Sequence, residues 1–198
     1  MSHFRRSILA IATLFGMGAA SASPALARDL ENTLYLQLKD GRVVIEMRPD
    51  LAPNHVARIK ELVRQGFYDG VVFHRVIDGF MAQTGDPTGT GMGGSGKKLA
   101  AEFNGAKHVR GTVSMARAGD PNSADSQFFI CFKPASFLDG QYTVWGQVVE
   151  GMEFVDAIKK GDSANNGSVS DPDKIISLKV AADVEKTANE DNNVRPQE

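Results

Sequence analysis

The feature that most constrains this chain is a succession of short apolar runs. Each is only long enough for one strand, and each is bounded by glycine, proline, aspartate or asparagine. They are TLYLQLK (33–39), RVVIEMR (42–48), GVVFHRVI (70–77), FMAQT (80–84), GTVSMA (111–116), SQFFICF (126–132), YTVWGQV (142–148) and IISLKVAADV (175–184). In the first two, apolar and polar residues alternate with period two, as in a strand with one buried face. Asp40-Gly41 between them predicts a tight type I′ hairpin, whose two central residues need positive φ. Only two segments have helical spacing. In APNHVARIKELVRQG, Pro53 suits the first helical position, Val56, Ile59, Leu62 and Val63 share a face, and Gly66 can cap the end. In EGMEFVDAIKKG, Met152, Val155 and Ile158 recur at helical intervals. Many short strands, two helices and no strand–helix alternation predict a mainly β fold, an antiparallel barrel rather than a parallel α/β sheet. There is no internal repeat and no internal domain boundary.

Both ends fall outside this pattern. Arg5 and Arg6 precede an apolar run, Ile8 to Ala20, and Ala25-Leu26-Ala27 supplies a small-residue cleavage site, so residues 1–27 read as a secretory signal peptide. A cut after Ala22 is the alternative. The run is shorter than the ~20 apolar residues a bilayer span needs, so no stable membrane insertion is expected. The mature chain then begins near Arg28, a single domain occupies 28–186, and the polar tail TANEDNNVRPQE (187–198) is expected to be disordered. The formal charge of the whole chain is −2; losing two arginines and no acid leaves 20 basic against 24 acidic residues, a net of −4. That balance disfavours a nucleic-acid partner.

The loop GDPTGTGMGGSGKK (85–98) carries two nucleotide-binding patterns, G-x-G-x-x-G at Gly89, Gly91 and Gly94, and G-x-x-x-x-G-K at Gly91, Gly96 and Lys97. The first requires a βαβ unit, but Pro87 precedes the glycines and Ser95-Gly96-Lys97-Lys98 cannot open a good helix. The second requires Ser or Thr where Lys98 stands. No nucleotide is therefore expected, and the glycines read instead as side-chain-poor backbone that another chain can approach. His3, His55, His74 and His108 lack ligand spacing, so no metal is expected. Cys131, the only cysteine, sits in an apolar run and reads as a core residue. No G-x-S-x-G elbow is present.

What remains is a group of polar residues set among large apolar ones. FHRVIDGFMAQTGD (73–86) brings Arg75, Phe80, Met81 and Gln83 together, and in a strand Met81 and Gln83 share a face. Gln127 and Phe129 repeat that relation in SQFFIC. Together these residues could form an apolar cup ringed by amide and guanidinium donors. The phenylalanines and methionine can also be read as plain core, which leaves Arg75 and both glutamines in need of partners.

FHRVIDGFMAQTGD, the glycine loop, GTVSMARA, SQFFIC and FLDGQYTVWGQVVEGM, in this order, resemble the cyclophilin family of peptidyl-prolyl cis–trans isomerases over about Asn32 to Val184. The resemblance implies a closed eight-stranded antiparallel β-barrel capped by two α-helices, no cofactor, and proline-containing polypeptides, unfolded or folded, as partners. It implies a catalytic role for Arg75, oriented by Gln83, and a proline pocket of Phe80, Met81, Phe129 and Leu138. Ala116, Ala118 and Gln127 match positions along the groove, and His74 matches a histidine lining the site. Phe137 stands where the best-known eukaryotic members have tryptophan, which implies weak cyclosporin binding. Tyr142 replaces a histidine and keeps an aromatic contact with the proline. Arg117 replaces an asparagine that acts through its backbone, and brings a charge near the groove. Phe137 and Tyr142 both look like bacterial members, and with the signal peptide they imply a monomeric periplasmic catalyst that assists folding of exported proteins. The other reading is a non-catalytic module holding proline segments in the same groove; the intact Arg75, Phe80, Gln83 and Phe129 favour the enzyme.

Overall fold

The computed structural model describes residues 28–194. The signal peptide expected over 1–27 lies outside them. The chain forms β1 (Thr33–Gln37), β2 (Arg42–Met47), α1 (Pro53–Arg64), β3 (Arg75–Ile77), β4 (Met81–Thr84), β5 (Thr112–Met115), β6 (Phe128–Cys131), β7 (Val144–Glu150), α2 (Met152–Asp156), β8 (Ser177–Val180) and α3 (Ala181–Val194). All eight strands join one antiparallel sheet in the order β3-β4-β6-β5-β7-β2-β1-β8. The eight-stranded antiparallel expectation holds.

Its closure and helix count need correction. The edge strands β3 and β8 share no ladder, so the sheet is a curled half-barrel. The seam is spanned by the irregular chain beside them, through Phe73 N–H to Asp173 O (2.9 Å), Ile175 N–H to Val71 O (2.9 Å) and the isolated bridge Val72–Lys174. Left-handed backbone at Gly167 and Asp171 interrupts extended pairing there. Among the described residues there are three α-helices. The run 175–184, read as one strand, turns helical at Ala181, and α3 continues through 187–194, where a disordered tail was expected. Ala181 is buried and α3 lies along β1, while Arg64 bridges Asp183 (3.0 Å) and Glu31 (2.9 Å), tying the helix to α1 and the N-terminal turn. Tertiary packing overrides the strand-like pattern.

The first hairpin also differs. Gln37 pairs with Arg42, and neither Asp40 nor Gly41 adopts positive φ, so the turn is not type I′. Gly41 is needed for space: a Cβ there would come within 2.4 Å of the Phe154 ring. α1 follows its pattern closely. It buries His55, Val56, Ile59, Leu62 and Val63, and closes with Gly66 N–H to Val63 O (3.0 Å) and Phe67 N–H to Leu62 O (3.0 Å), the paired bonds of a Schellman cap.

Strand alternation divides the apolar residues between two faces. Ala82, Phe128, Ile130, Val113 and Met115 enter the main core with Trp145, Tyr68 and Phe73. Met81, Phe129 and Cys131 form a second cluster with Ala135 and Leu138, against which Ile77, Phe80, Ala116 and Tyr142 pack. Successive residues of β4 and β6 therefore serve opposite sides of the sheet.

Candidate active site

Sheet register assembles the polar part of the second face. Arg75 on β3 pairs with Gln83 on β4, and Gln83 pairs with Phe129 on β6. The three side chains stand in one row. Arg75 Nη1 donates to Gln83 Oε1 (3.1 Å), Gln83 Nε2 donates to Gln127 Oε1 (2.9 Å), and Gln127 Nε2 donates to the carbonyls of Gly91 (3.0 Å) and Gly93 (2.8 Å). The two ends fix both amides: a guanidinium can only donate and a carbonyl can only accept, so neither glutamine can flip.

The rest of the guanidinium is held by a residue the sequence did not single out. Arg75 Nε donates to Asn166 O (3.0 Å) and Nη2 to Asn166 Oδ1 (2.8 Å). Asn166 adopts left-handed backbone, φ 51°, a conformation asparagine tolerates better than most residues. Among the described residues no carboxylate pairs with Arg75. Burial lowers its pKa, but an arginine remains cationic.

Beside this fixed cation lies the apolar cup. A groove of about 760 Å³ is lined by His74, Arg75, Phe80, Met81, Gln83, Ala116, Phe129, Phe137, Leu138 and Tyr142. Phe80 meets Phe137 with ring centroids 5.4 Å apart, and Tyr142 packs edge-on to Phe129 at 6.0 Å. Phe137 is 64% exposed, so it forms a rim rather than a floor. Behind Phe129 the buried His108 ring stacks at 6.1 Å; its Nδ1 lies 3.1 Å from Asp139 and its Nε2 3.1 Å from the Ser114 hydroxyl. Ala118 and Gln127 line an adjoining hollow of about 430 Å³ that shares Gln83, Gly91, Met92, Ala116 and Arg117 with the groove. The structure thus brings every residue singled out for the site into two connected hollows.

Neither His74 nor Cys131 is set up for proton transfer or nucleophilic attack. Burial pushes the His74 pKa down, and neither ring nitrogen finds a partner, so the ring is a neutral wall of the groove. Cys131 is fully buried and burial pushes its thiol up to about 12, which removes it as a nucleophile.

The glycine loop is anchored rather than floppy. Asp86, fully buried, accepts from Thr88 N (2.8 Å), Thr90 N (3.0 Å) and Gly91 N (2.6 Å). Burial opposes its ionisation, yet these bonds and that of the Thr88 hydroxyl prevail and hold its pKa at about 2. Asp125 accepts from Ser95 N (2.7 Å) and Gly96 N (3.0 Å). A Cβ at Gly93 would fall 2.1 Å from Asp86 Oδ1, and one at Gly94 2.8 Å from Asp125 Cγ. These two glycines make room for the carboxylates. Met92 stands at the lip, 91% exposed, lining both hollows.

The arrangement can bind an apolar ring next to a chain backbone and aim a permanent N–H donor at it. A family model described as cyclophilin type peptidyl-prolyl cis-trans isomerase matches residues 33–180. The chain is 55% identical over 192 residues to a probable peptidyl-prolyl cis-trans isomerase of Brucella suis, covering 91% of this chain and 98% of that one. It is 44% identical over 133 residues to peptidyl-prolyl cis-trans isomerase B of Bacillus subtilis, covering 66% and 92% respectively. A crystal structure of a cyclophilin from Hirschia baltica superposes with TM-score 0.70 at 30% identity, covering 78% of this chain and 76% of that one. A Cryptosporidium parvum cyclophilin crystallised in the presence of the dipeptide Ala-Pro gives 0.69 at 30% identity, covering 75% and 98%.

Proposed function

The chain belongs to the cyclophilin-type peptidyl-prolyl cis–trans isomerases, and from that premise we propose that Arg75 supplies the catalysis, with proline seated in the cup of Phe80, Met81, Phe129, Leu138 and Tyr142. The reaction is rotation about an X-Pro amide. Resonance gives an amide a barrier of ~18–20 kcal/mol, and uncatalysed X-Pro exchange takes tens to hundreds of seconds. Twisting the amide breaks the resonance and returns a lone pair to the proline nitrogen. A donor aimed at that nitrogen binds the twisted state better than either planar isomer, which is the condition for acceleration. The observation that carries the assignment is the Arg75 fork, held on three sides by Gln83 and Asn166, unpaired with any carboxylate, and opening onto the apolar cup.

No bond breaks and no proton moves, so the rate is expected to lack a bell-shaped pH profile. Arg75→Ala should lower kcat/KM by roughly 100-fold or more, the scale of losing one preorganised donor. Normal turnover by that variant in a proline-peptide assay would sink the mechanism. We also propose export to the periplasm and a role in folding exported proteins, supported by Arg5-Arg6, the apolar run and the Ala-Leu-Ala site within residues 1–27. Mass spectrometry of the periplasmic form should find a chain beginning near Arg28; a full-length cytoplasmic chain would contradict it. Phe137 at the rim supports weak cyclosporin inhibition, which the same assay reads. A monomeric state would be tested by sedimentation.

A further inference from the structure

We propose that Arg117 makes this groove selective for prolyl substrates with an acidic side chain beside the proline, a reading that rests on the groove being the substrate site. Arg117 lines both hollows and so stands where the proline cup meets the neighbouring space. Its guanidinium lies 4.5 Å over the Tyr142 ring, the same ring that packs against Phe129 in the cup. It is tethered by the backbone: Nε and Nη2 donate to Gln141 O (3.2 and 2.9 Å), and Nη1 donates to Ala118 O (2.9 Å). Such a cation has lost most of its rotamer freedom before any ligand arrives.

Carbonyls tether the charge without neutralising it. Among the described residues Arg117 makes no ion pair, and neither do Lys98 in the second hollow or Arg75 in the first. No acidic residue lines the first hollow, and in the second Asp125, which accepts from the Ser95 and Gly96 amides, is one carboxylate against two cations, Arg117 and Lys98. In a chain whose formal charge is −2, the groove is a local positive site. An extended substrate advances ~3.3–3.6 Å per residue. A side chain one or two residues from a seated proline therefore reaches the wall that Arg117 and Lys98 share. A glutamate there gains an attraction and a lysine meets repulsion. From the size of exposed pairs, the two should differ by roughly three- to tenfold in kcat/KM.

The test uses the mature chain and matched prolyl peptides carrying Glu, Gln or Lys at each position within two residues of proline. At one position the order Glu > Gln > Lys is expected, with the preference shrinking as salt rises and the Debye length falls from ~10 Å at 0.1 M towards ~3 Å at 1 M. Arg117→Gln should reduce the Glu-to-Lys ratio at that position at least threefold, while Arg117→Lys keeps most of it. A ratio within twofold of unity at every position, a preference that ignores salt, or one unchanged in Arg117→Gln would overturn the inference. The salt titration needs no variant, so a folding defect cannot obscure the answer. Failure to isomerise any peptide would instead overturn the isomerase reading, and this inference with it.

Discussion

At the scale of residues, the site depends on direction as much as on identity. The run of donors from Arg75 through Gln83 and Gln127 ends on the carbonyls of Gly91 and Gly93, so the Arg75 fork and the glycine loop are one hydrogen-bonded unit. Gln127→Leu should remove the middle of that unit and leave the Gln83 amide without its acceptor. We expect kcat/KM to fall roughly tenfold and stability to drop by about 0.5–1.5 kcal/mol, the net worth of a hydrogen bond between half-buried groups. Peptide kinetics and urea unfolding of the same variant would check both, and wild-type kinetics would show the unit to be dispensable. Most of this residue set was legible, because Arg75, Gln83 and Phe129 lie in strands where period two places them on a known face, and Gln127 stands just before β6. Asn166 was not. It sits in SANNG, where nothing periodic exists, and it reaches Arg75 across 91 positions through a left-handed turn.

At the scale of elements, the least legible features are those one segment supplies to another. α1 opens at Ala52 with no side-chain cap of its own. The cap comes from Glu102, whose carboxylate accepts from Asn54 N (3.0 Å), His55 N (3.0 Å) and His55 Nδ1 (2.6 Å). Burial raises the Glu102 pKa, but these bonds outweigh it and the net shift is downward. Negative charge at a helix N-terminus is favourable in itself. Glu102→Ala should therefore destabilise the fold by ~1–2 kcal/mol, and Glu102→Gln by less, as read by urea denaturation. An unchanged midpoint for Glu102→Ala would mean that solvent replaces the cap at no cost. Sequence signals find local caps such as Gly66; a carboxylate 48 positions away leaves no mark near the helix it closes. The same limit explains α3, whose helical state follows from docking on β1 and from Arg64 rather than from its own apolar pattern.

At the scale of the whole molecule, buried and tied ionisable groups set how the fold answers acid. Burial lowers the pKa of His108 against the opposing pull of Asp139, so the folded state favours the neutral ring. The unfolded chain takes up that proton near the usual histidine value of ~6.5. Stability from this group is present above that value and is lost as pH falls through it towards the lower folded value. Asp86 and Asp139, both held at about 2, contribute above the ordinary aspartate range and lose that contribution as pH drops from ~4 towards 2. Urea unfolding from pH 8 to pH 3 should show a decline beginning below ~6.5 and a steeper one below ~4. Stability that rises between pH 7 and pH 5 would contradict this. The overall β architecture was readable because alternation and turn residues are local; the open seam between β3 and β8 was not, since it arises from irregular chain at Gly167 and Asp171. The division of one sheet into two faces also governs how this protein can vary. Neighbouring codons along β4 and β6 answer to different selection: changes at Ala82, Phe128 or Ile130 act on the main core alone, and changes at Met81, Gln83 or Phe129 on the groove wall and its smaller apolar cluster. New substrate preferences can thus arise on one side of the sheet while the other keeps the chain folded.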